Sequence, residues 1–307
     1  MMPKVLITGG TGFIGRTLSR RLLEAGYEVL CLTRNPLLVS QKPDSGLRYV
    51  LWNGRTGEAW ADEAEGARAI VNLAGENIGA GRWTKKRRER ILRSRVDAGR
   101  AVVEAVERTR SKPGVVIQAS AVGYYGTSLE AVFDESSPPG EGFLADVCRE
   151  WESSTREVRP LGIRHVVVRS GIVLEKHGGA LPRLAGPFRF FLGGPVGPGT
   201  QWISWVHLED EVRILQFLIE HPECQGPFNL TAPHPVRNRE FSAALGKALG
   251  RPSRLPVPGW GLVLIFGRMA RETLLGGQRV HPQRILEAGY RFRYPEVRSA
   301  LRAIFRK

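Results

Sequence analysis

The sequence predicts an α/β protein, namely a doubly wound parallel sheet of the Rossmann type followed by a smaller, irregular α+β lobe. Over residues 1–175, short apolar runs bounded by turn residues alternate with amphipathic segments, as in β-α-β units. Beyond that point, glycine and proline interrupt the chain at short intervals and the alternation ends. We therefore expect a cofactor-binding domain over residues 1–175, to which parts of 200–232 return, and a substrate lobe over 176–307.

The first apolar run, residues 5–8, leads directly into a glycine-rich turn and then into a segment with leucines at helical spacing. In this turn, Gly9 permits a tight bend, Gly12 lets backbone N–H groups approach a pyrophosphate, and Gly15 lets the helix pack closely on the strand. The pyrophosphate would lie at the positive end of the helix dipole. A turn without a ligand is the alternative, but a strand, spaced glycines and a helix in this order favour a dinucleotide site.

The second predicted strand, residues 27–33, ends in the sequence Thr33-Arg34-Asn35. Units that prefer NAD place an acidic residue near this point to bind the ribose 2′-hydroxyl, whereas an arginine suits the 2′-phosphate of NADP. Arg34 can pair with a phosphate through two N–H groups, and Thr33 can donate a hydrogen bond. We therefore predict NADP as the cofactor. The alternative is that Arg34 is an ordinary surface residue of an arginine-rich chain.

Further buried strands are predicted at residues 48–52, 69–75 and 164–174, and residues 114–126 are predicted as a strand with its outgoing loop. The second of these ends in the small residues Ala74 and Gly75. At the carboxyl edge of a parallel sheet, small residues let a ribose and a nicotinamide lie against the backbone. A tight turn without a ligand is the alternative reason for this pair.

Several segments resemble one enzyme superfamily. Residues 8–15, Thr-Gly-Gly-Thr-Gly-Phe-Ile-Gly, resemble the extended short-chain dehydrogenases/reductases of the sugar-nucleotide epimerase type. Segments 72–78, 81–83 and 91–95 more closely resemble a subfamily described as NAD(P)-dependent epimerases or oxidoreductases, which includes cell-division-inhibitor-like proteins. Residues 255–294 match the C-terminal extension of that subfamily. The resemblance therefore covers essentially the whole chain.

The resemblance also assigns residues around the cofactor and the substrate. It implies that Arg95 reaches the cofactor at a phosphate group. In the superfamily, the loop after the fifth strand supplies a Ser or Thr that hydrogen-bonds the substrate. Ser120 lies there, although the strictest register places Ala121 at that position. The motifs and the resemblance together predict these cofactor contacts: Gly9, Thr11, Gly12, Phe13, Ile14, Gly15, Thr33, Arg34, Leu73, Ala74, Gly75 and Arg95.

The catalytic Tyr-x-x-x-Lys pair of the superfamily is missing. In that pair the lysine lowers the pKa of the tyrosine, which transfers the proton that accompanies hydride transfer. Phe143 and Val147 stand at the two positions, and neither side chain can transfer a proton. Tyr124 or Tyr125 on the preceding loop is the candidate replacement, with packing as the alternative role of both. We predict Ser120 and Tyr124 as the catalytic residues.

The composition limits the partners of the chain. It has 45 Lys and Arg against 30 Asp and Glu, a net charge of +15, which attracts anions. A compositional bias explains the scattered arginines as well as a polyanionic partner does. The basic run 85–95 shares its segment with an apolar stripe and has no interleaved aromatic residues, which disfavours nucleic acid. The scattered cysteines, Cys31, Cys148 and Cys224, predict neither a disulfide framework nor a metal site.

No apolar run is long enough to cross a bilayer, and the first strand begins too early to leave room for a signal peptide. We therefore expect a cytoplasmic protein without a membrane partner. The favoured function is an NADP-dependent oxidoreductase or epimerase acting on an unidentified small molecule, either a sugar nucleotide or another carbonyl compound. Trp202, Trp205 and Phe191 are expected to line its pocket.

A second function, from a different class, follows from the missing Tyr-x-x-x-Lys pair. It is a non-catalytic regulator that senses NADPH and passes that state to a protein partner. Nucleic-acid binding through the basic surface is a third and weaker hypothesis, and it predicts a steep dependence of binding on salt. The sequence indicates neither the substrate nor the oligomeric state.

Overall fold

Residues 2–40 and 46–306 are described by a computed structural model of the chain. Its strands, in chain order, are β1 (Lys4–Thr8), β2 (Glu28–Thr33), β3 (Leu47–Leu51), β4 (Ala69–Asn72), β5 (Val115–Ala121), β6 (Val132–Phe133), β7 (Arg164–Ser170), β8 (Ile172–Leu174), β9 (Trp202–Ile203), β10 (Trp205–His207), β11 (Gly226–Leu230), β12 (Val236–Arg237) and β13 (Arg279–Val280). Seven of these strands form one parallel sheet in the order β11-β7-β5-β4-β1-β2-β3. The chain winds from β1 outward to β3 and then returns to build the other half of the sheet, which confirms the predicted doubly wound fold.

The helices connect and cover these strands. They are α1 (Phe13–Glu24), α2 (Pro36–Val39), α3 (Ala61–Ala64), α4 (Lys85–Arg108), α5 (Phe143–Ser153), α6 (Leu181–Arg189), α7 (Leu208–Glu220), α8 (Asn238–Leu249), α9 (Gly259–Phe266), α10 (Arg268–Thr273), α11 (Gln283–Glu287) and α12 (Val297–Phe305). Helices α1 and α7 pack on one face of the large sheet, and α3 and α4 pack on the other. Since both faces are covered, the central strands are buried at nearly every position.

The predicted strand over 164–174 consists of two strands with different partners. β7 lies in the large sheet, whereas β8 pairs in parallel with β10. The chain bends between them at Gly171, where a Cβ atom would lie 2.7 Å from the Ser204 carbonyl oxygen. β11 completes the large sheet beside β7.

The C-terminal part of the chain has an apolar core of its own. This core is built by α6, α8 and α12 around residues that include Phe188, Trp205, Phe241 and Leu301. Trp205 is completely buried there, so the expectation that it lines an open pocket is wrong. Among the described residues, no helix is both long and apolar enough to span a membrane.

The last segment of the chain returns to β6, with which it forms a separate two-stranded sheet. β13 pairs with β6, and the Ser204 hydroxyl donates to the Gln278 carbonyl and accepts from the Val280 N–H. A Glu272 carboxylate oxygen accepts from the Leu144 N–H at the beginning of α5, at 3.0 Å. The extension therefore contacts the region in which the superfamily carries its catalytic pair.

Helix α1 approaches the turn that precedes it so closely that only glycine fits at its third residue. A Cβ atom on Gly15 would lie 2.7 Å from the Gly10 Cα atom and closer still to the Gly9 carbonyl oxygen. Both are backbone atoms, which cannot move away as a flexible side chain can. This contact sets the distance between α1 and the end of β1.

We expect Gly15→Ala to lower the free energy of unfolding by roughly 1–3 kcal/mol, because the added methyl group overpacks the turn. Gly186→Ala on α6 is the matched control, since a Cβ atom there has no neighbour within 4 Å. Urea unfolding followed by tryptophan fluorescence measures both variants. Equal stability of Gly15→Ala and the wild type would contradict the close approach.

Candidate functional site at the carboxyl edge of the sheet

The glycine turn has the geometry that its sequence predicts. Gly9 has a φ of +69°, in the left-handed region, and its carbonyl oxygen accepts from the Gly12 N–H at 2.9 Å. A Cβ atom on Gly9 would lie 3.0 Å from the backbone of Leu73, so the turn packs directly on the chain that leaves β4. Gly12 is the N-cap of α1, and within the described chain no side chain caps this helix. Its first N–H groups therefore remain available to an anion.

The end of β2 lies beside this turn. A Cβ atom on Gly10 would collide with Cys31 of β2, which places the two segments in contact. Thr33 is buried, and its hydroxyl oxygen accepts from the Asn35 N–H at 3.1 Å. The Arg34 side chain is exposed and runs alongside Gly54. The predicted Thr33 and Arg34 thus share one sheet edge with the glycine turn.

Buried hydrogen bonds fix the chain after β4. The Thr8 hydroxyl donates to the Asn72 side-chain oxygen at 2.5 Å and accepts from the Ala74 N–H at 3.2 Å. The Asn72 amide in turn donates to Gln118 on β5 at 2.8 Å. These bonds join three neighbouring strands at their carboxyl ends. They hold Leu73, and the small residues after it, at the open edge of the sheet.

Arg95 projects from α4 to the same edge. Its guanidinium carbon lies 4.7 Å from the centre of the Trp151 ring. It also lies close to Gly75, at 3.1 Å from the point where a Cβ atom would be if this residue had one. One guanidinium nitrogen donates to the carbonyls of Glu76 and Ile91, both at 3.0 Å. Burial lowers the pKa of Arg95 to about 10, so it keeps its charge at neutral pH. No carboxylate of the described chain forms a salt bridge with it, which leaves its charge free to interact with an anion.

Ser120 does not face the open edge. Its hydroxyl donates to Glu152 on α5 at 2.7 Å, and only 4% of the residue is exposed. Glu152 also forms a two-point ion pair with Arg169, at 2.8 and 2.9 Å. The next residue, Ala121, is the last of β5 and lies in register with Ser170 of β7. Ser120 therefore belongs to a buried polar network, and its catalytic role stays a prediction that this contact does not favour.

The two neighbouring tyrosines differ in their surroundings. The Tyr125 hydroxyl donates to Asn229 at 2.7 Å and accepts from Arg169 at 3.0 Å, and burial raises the pKa of Tyr125 to about 12. Tyr124 is half-buried, with the Arg169 guanidinium 3.5 Å from its ring centre. Its hydroxyl has no hydrogen-bond partner among residues 2–40 and 46–306. Of the two, Tyr124 is the one whose hydroxyl is free to bind a substrate.

The positions of the missing catalytic pair are filled by apolar packing. Val147 is buried in a cluster with Trp83, Ile91 and Met269. Phe143 packs edge-on against Trp83, with their ring centres 5.0 Å apart. No polar group replaces the tyrosine or the lysine at these two positions. Any proton transfer would therefore need a residue elsewhere.

The sequence analysis missed a buried acid behind this edge. The Ser170 hydroxyl donates to Glu211 at 2.6 Å, and Glu211 is 1% exposed. The second carboxylate oxygen has no partner in the described part of the chain. Burial raises the pKa of Glu211 to about 8. Its spacing from Leu208 and Leu215, three and four residues away, is the signal that could have placed it on the buried face of α7.

The cysteines and the acidic residues offer no metal site. Cys31, Cys148 and Cys224 are all free and buried. In the described ranges, no group of three or more His, Cys, Asp or Glu side chains could hold a metal ion.

A glycine turn opposite a helix N-terminus, at the carboxyl edge of a doubly wound sheet, defines a Rossmann-type dinucleotide-binding protein. Residues 5–144 match the NAD dependent epimerase/dehydratase family. Residues 257–304 match a domain of unknown function, DUF1731. The chain belongs to the NAD dependent epimerase/dehydratase family, as an extended short-chain dehydrogenase/reductase that carries this C-terminal domain.

The sequence relatives span nearly the whole chain. It is 40% identical over 303 residues to "Epimerase family protein SDR39U1 homolog, chloroplastic" of Arabidopsis thaliana, an alignment that covers 98% of this chain and 86% of that protein. It is 39% identical over 298 residues to "Epimerase family protein YfhF" of Bacillus subtilis, with 97% and 96% covered. The human "Epimerase family protein SDR39U1" is 38% identical over 304 residues, with 98% and 99% covered. The resemblance that the motifs indicated is therefore confirmed.

Solved structures agree with this assignment. The crystal structure of human epimerase family protein SDR39U1 (isoform2), solved with NADPH, superposes with a TM-score of 0.87 at 36% identity and covers 98% of this chain and 99% of that one. The dTDP-glucose 4,6-dehydratase DesIV of Streptomyces venezuelae has a TM-score of 0.78 at 21% identity, covers 98% of this chain and 95% of its own, and shows the shared fold alone.

We expect Glu211 to make stability depend on pH. Its pKa is about 8 in the folded protein and 4.5 in an exposed carboxyl group, so its contribution to stability is complete below pH 4.5 and is lost as the pH rises toward 8. Glu211→Gln should therefore be more stable than the wild type at pH 8, by roughly 2–4 kcal/mol, and should show a flatter pH profile. Urea unfolding between pH 5 and 8 tests this. Glu107→Gln, which removes an exposed acid of α4, should leave the profile unchanged, and identical profiles for the wild type and Glu211→Gln would contradict the prediction.

Proposed function

We propose that this protein binds NADPH at the carboxyl edge of the large sheet and uses it in an oxidoreductase or epimerase reaction on a small molecule. One observation carries the proposal: the open N-terminus of α1 and the side chain of Arg34 lie at the same edge, and no acid follows β2. The first group suits a pyrophosphate and the second suits a 2′-phosphate. The NADPH bound in the human relative supports the same choice of cofactor.

The residues at the edge fit the parts of this cofactor. We infer that the N–H groups after Gly12 hold the pyrophosphate and that Arg34, with Thr33, holds the 2′-phosphate. The backbone of 73–75 would lie along a ribose. Arg95, whose charge has no carboxylate salt bridge in the described chain, would supply a cation to a phosphate group. Thr11, Phe13 and Ile14 complete the turn around the pyrophosphate.

A bound nicotinamide supplies or accepts a hydride, and the protein must move the accompanying proton. Tyr124 is our first assignment for this role, because its hydroxyl is free of hydrogen bonds within the described chain and its ring lies on the loop after β5. Ser170 is the second, since it lies in register with Ala121 and its hydroxyl contacts the buried Glu211. In that case Ser170 would give its hydroxyl proton to the substrate and take one from Glu211, whose raised pKa of about 8 keeps it mainly protonated at neutral pH.

A regulator that senses NADPH is the second candidate function. The apolar packing of Phe143 and Val147 favours it, because these positions contribute no polar group to catalysis. The two functions differ in one measurable respect: a regulator binds NADPH but oxidises it with no carbonyl or sugar-nucleotide compound.

Two wider expectations belong to the same proposal. We propose that residues 1–175, with parts of 200–232, form the cofactor-binding domain and that 176–307 form mainly the substrate lobe. We also propose a cytoplasmic protein, although the Arabidopsis relative is named as chloroplastic.

Arg34→Asp should weaken NADPH binding by about tenfold or more, because a carboxylate would repel the 2′-phosphate. NADH binding should be unchanged or improved, since the ribose 2′-hydroxyl accepts a carboxylate partner. Titration of cofactor fluorescence measures both dissociation constants. Arg298→Asp on α12 introduces the same change of charge at an exposed site and should preserve the preference for NADPH. A preference that survives Arg34→Asp would refute the assignment.

Tyr124→Phe should lower turnover by about 10²–10⁴-fold if its hydroxyl transfers the proton. NADPH oxidation is followed against a panel of carbonyl and sugar-nucleotide compounds. Tyr125→Phe is the matched control, because that hydroxyl is occupied by Asn229 and Arg169, and its loss should affect stability more than turnover. Full activity of Tyr124→Phe together with an inactive Ser170→Ala would transfer the role to Ser170.

A further inference from the structure

Large apolar side chains are concentrated in one part of the protein surface. Of the thirteen large hydrophobic residues that are exposed in the described chain, seven lie in segments 190–192 and 255–265. We call these seven the apolar surface: Phe190, Phe191, Leu192, Leu255, Trp260, Leu264 and Ile265. An exposed patch of this kind marks a binding surface more often than chance exposure does.

The two segments lie side by side. The Leu255 N–H donates to the Gly193 carbonyl at 3.2 Å, and the Val257 N–H donates to the Pro195 carbonyl at 2.8 Å. The Gly197 N–H returns a bond to Val257 at 2.9 Å. These backbone hydrogen bonds hold the two segments of the apolar surface next to each other.

Helix α9 is the most unusual part of this surface. Its sequence, Gly-Trp-Gly-Leu-Val-Leu-Ile-Phe, is apolar on every side, yet none of its residues is buried. A helix that is apolar all round is normally enclosed by protein or lipid. It contacts the protein at both ends: Gly259 lies against the Leu275 side chain, and Phe266 and the following Met269 pack in the cluster that contains Trp83. Trp260 and Leu264 are 76% and 72% exposed.

Basic residues surround the apolar surface, and acidic residues are missing from the segments that form it. Residues 77–88 contain five Lys or Arg, residues 176–208 contain three, and residues 251–271 contain four, while none of the three segments contains Asp or Glu. The segments are in contact. Arg183 donates to the Gly79 carbonyl, and the Arg82 guanidinium lies beside Gly267.

Some of these cations lie in the first turn of α4, although the positive end of a helix dipole favours anions. Lys85, Lys86 and Arg87 occupy its first turn, which has no acidic residue. Cations at a helix N-terminus are unfavourable because they face the positive end of the dipole. Lys85 and Lys86 are exposed, and neither forms a salt bridge in the described chain; Glu89, one turn after Lys85, pairs with Arg93 at 3.0 Å. An anionic surface would remove this penalty.

We propose that this protein binds to the surface of an anionic membrane through the apolar surface and its rim of cations. Trp260, Leu264 and Ile265 would enter the boundary between headgroups and acyl chains, as in interfacial helices, and the cations would contact anionic headgroups. Arg87 and Arg268 pair with Glu76 and Glu272, but the rim keeps an excess of cations. A second copy of the chain fits poorly, since two such surfaces would repel each other. Nucleic acid would satisfy the cations but leave the aliphatic side chains in water. Binding at the membrane surface requires no spanning helix. This proposal differs from the sequence-based expectation of a protein without a membrane partner.

Sedimentation with vesicles tests the proposal on the full chain. We expect the protein to sediment with vesicles of phosphatidylcholine that contain about one third phosphatidylglycerol, and at least about tenfold less with phosphatidylcholine alone. Trp260→Ser combined with Leu264→Ser and Ile265→Ser should reduce binding by a similar factor. The matched control combines Leu51→Ser, Leu129→Ser and Val132→Ser, which are exposed apolar residues outside the surface, and it should bind as the wild type does. NADPH binding and thermal unfolding verify that both triple variants are folded.

The contribution of charge is tested separately. Lys85→Glu with Lys86→Glu should lower binding to the anionic vesicles about tenfold or more, and raised salt should do the same to the wild type. Arg298→Glu with Arg302→Glu makes an equal change of net charge on α12 and should have little effect.

Several outcomes would overturn the proposal. The first is a wild type that does not sediment with anionic vesicles, and the second is a triple-serine variant that binds them as tightly as the wild type. A dimer in solution that the triple-serine variant dissociates would show that the surface joins two copies of the chain. Tight retention by a DNA duplex that depends on Lys85 and Lys86 but not on Trp260, without vesicle binding, would identify nucleic acid as the partner.

Discussion

The buried guanidinium of Arg169 holds together the part of the structure in which catalysis is expected. It forms a two-point ion pair with Glu152 of α5, donates to the Tyr125 hydroxyl and lies over the ring of Tyr124. Burial alone would lower the pKa of Arg169, but the hydrogen bonds and charge of Glu152 raise it, so Arg169 keeps its positive charge. Removing one partner of such a pair leaves an uncompensated buried charge. The loop after β5 and helix α5 therefore depend on one cation for their relative position.

The glycine turn and the beginning of α1 contact both the large sheet and the segment that leads into the C-terminal lobe. On one side, Gly9 touches the backbone of Leu73 after β4. On the other, the ring of Phe13 occupies the space that a Cβ atom on Gly178 would need, so the segment before α6 packs on the beginning of α1. A dinucleotide bound at this turn would thus lie next to the segment that leads into the C-terminal lobe.

The parts of the structure that depend on neighbours in sequence were predictable, and those that depend on distant partners were not. The glycine turn, the strands up to β5 and the end of α8 at Gly250, with its φ of +65°, follow from local patterns. The division of 164–174 into β7 and β8 depends on a strand about thirty residues further along the chain, which no local pattern shows. For the same reason the sequence could not show that Ser120 turns toward Glu152 or that Ser170 meets Glu211. Three consecutive acidic residues at a helix start look like ordinary first-turn charge, although two of them, Asp210 and Glu211, are buried.

The return of the C-terminal segment to β6 has a consequence for synthesis of the chain on the ribosome. The large sheet is complete once β11 has emerged, at Leu230, so the dinucleotide turn can form around a finished sheet. The beginning of α5 and the edge of β6 stay uncovered until residues 272–280 follow. Because domains generally fold from the N-terminus during synthesis, the sheet edge that carries the glycine turn is complete before α5 and β6 are covered.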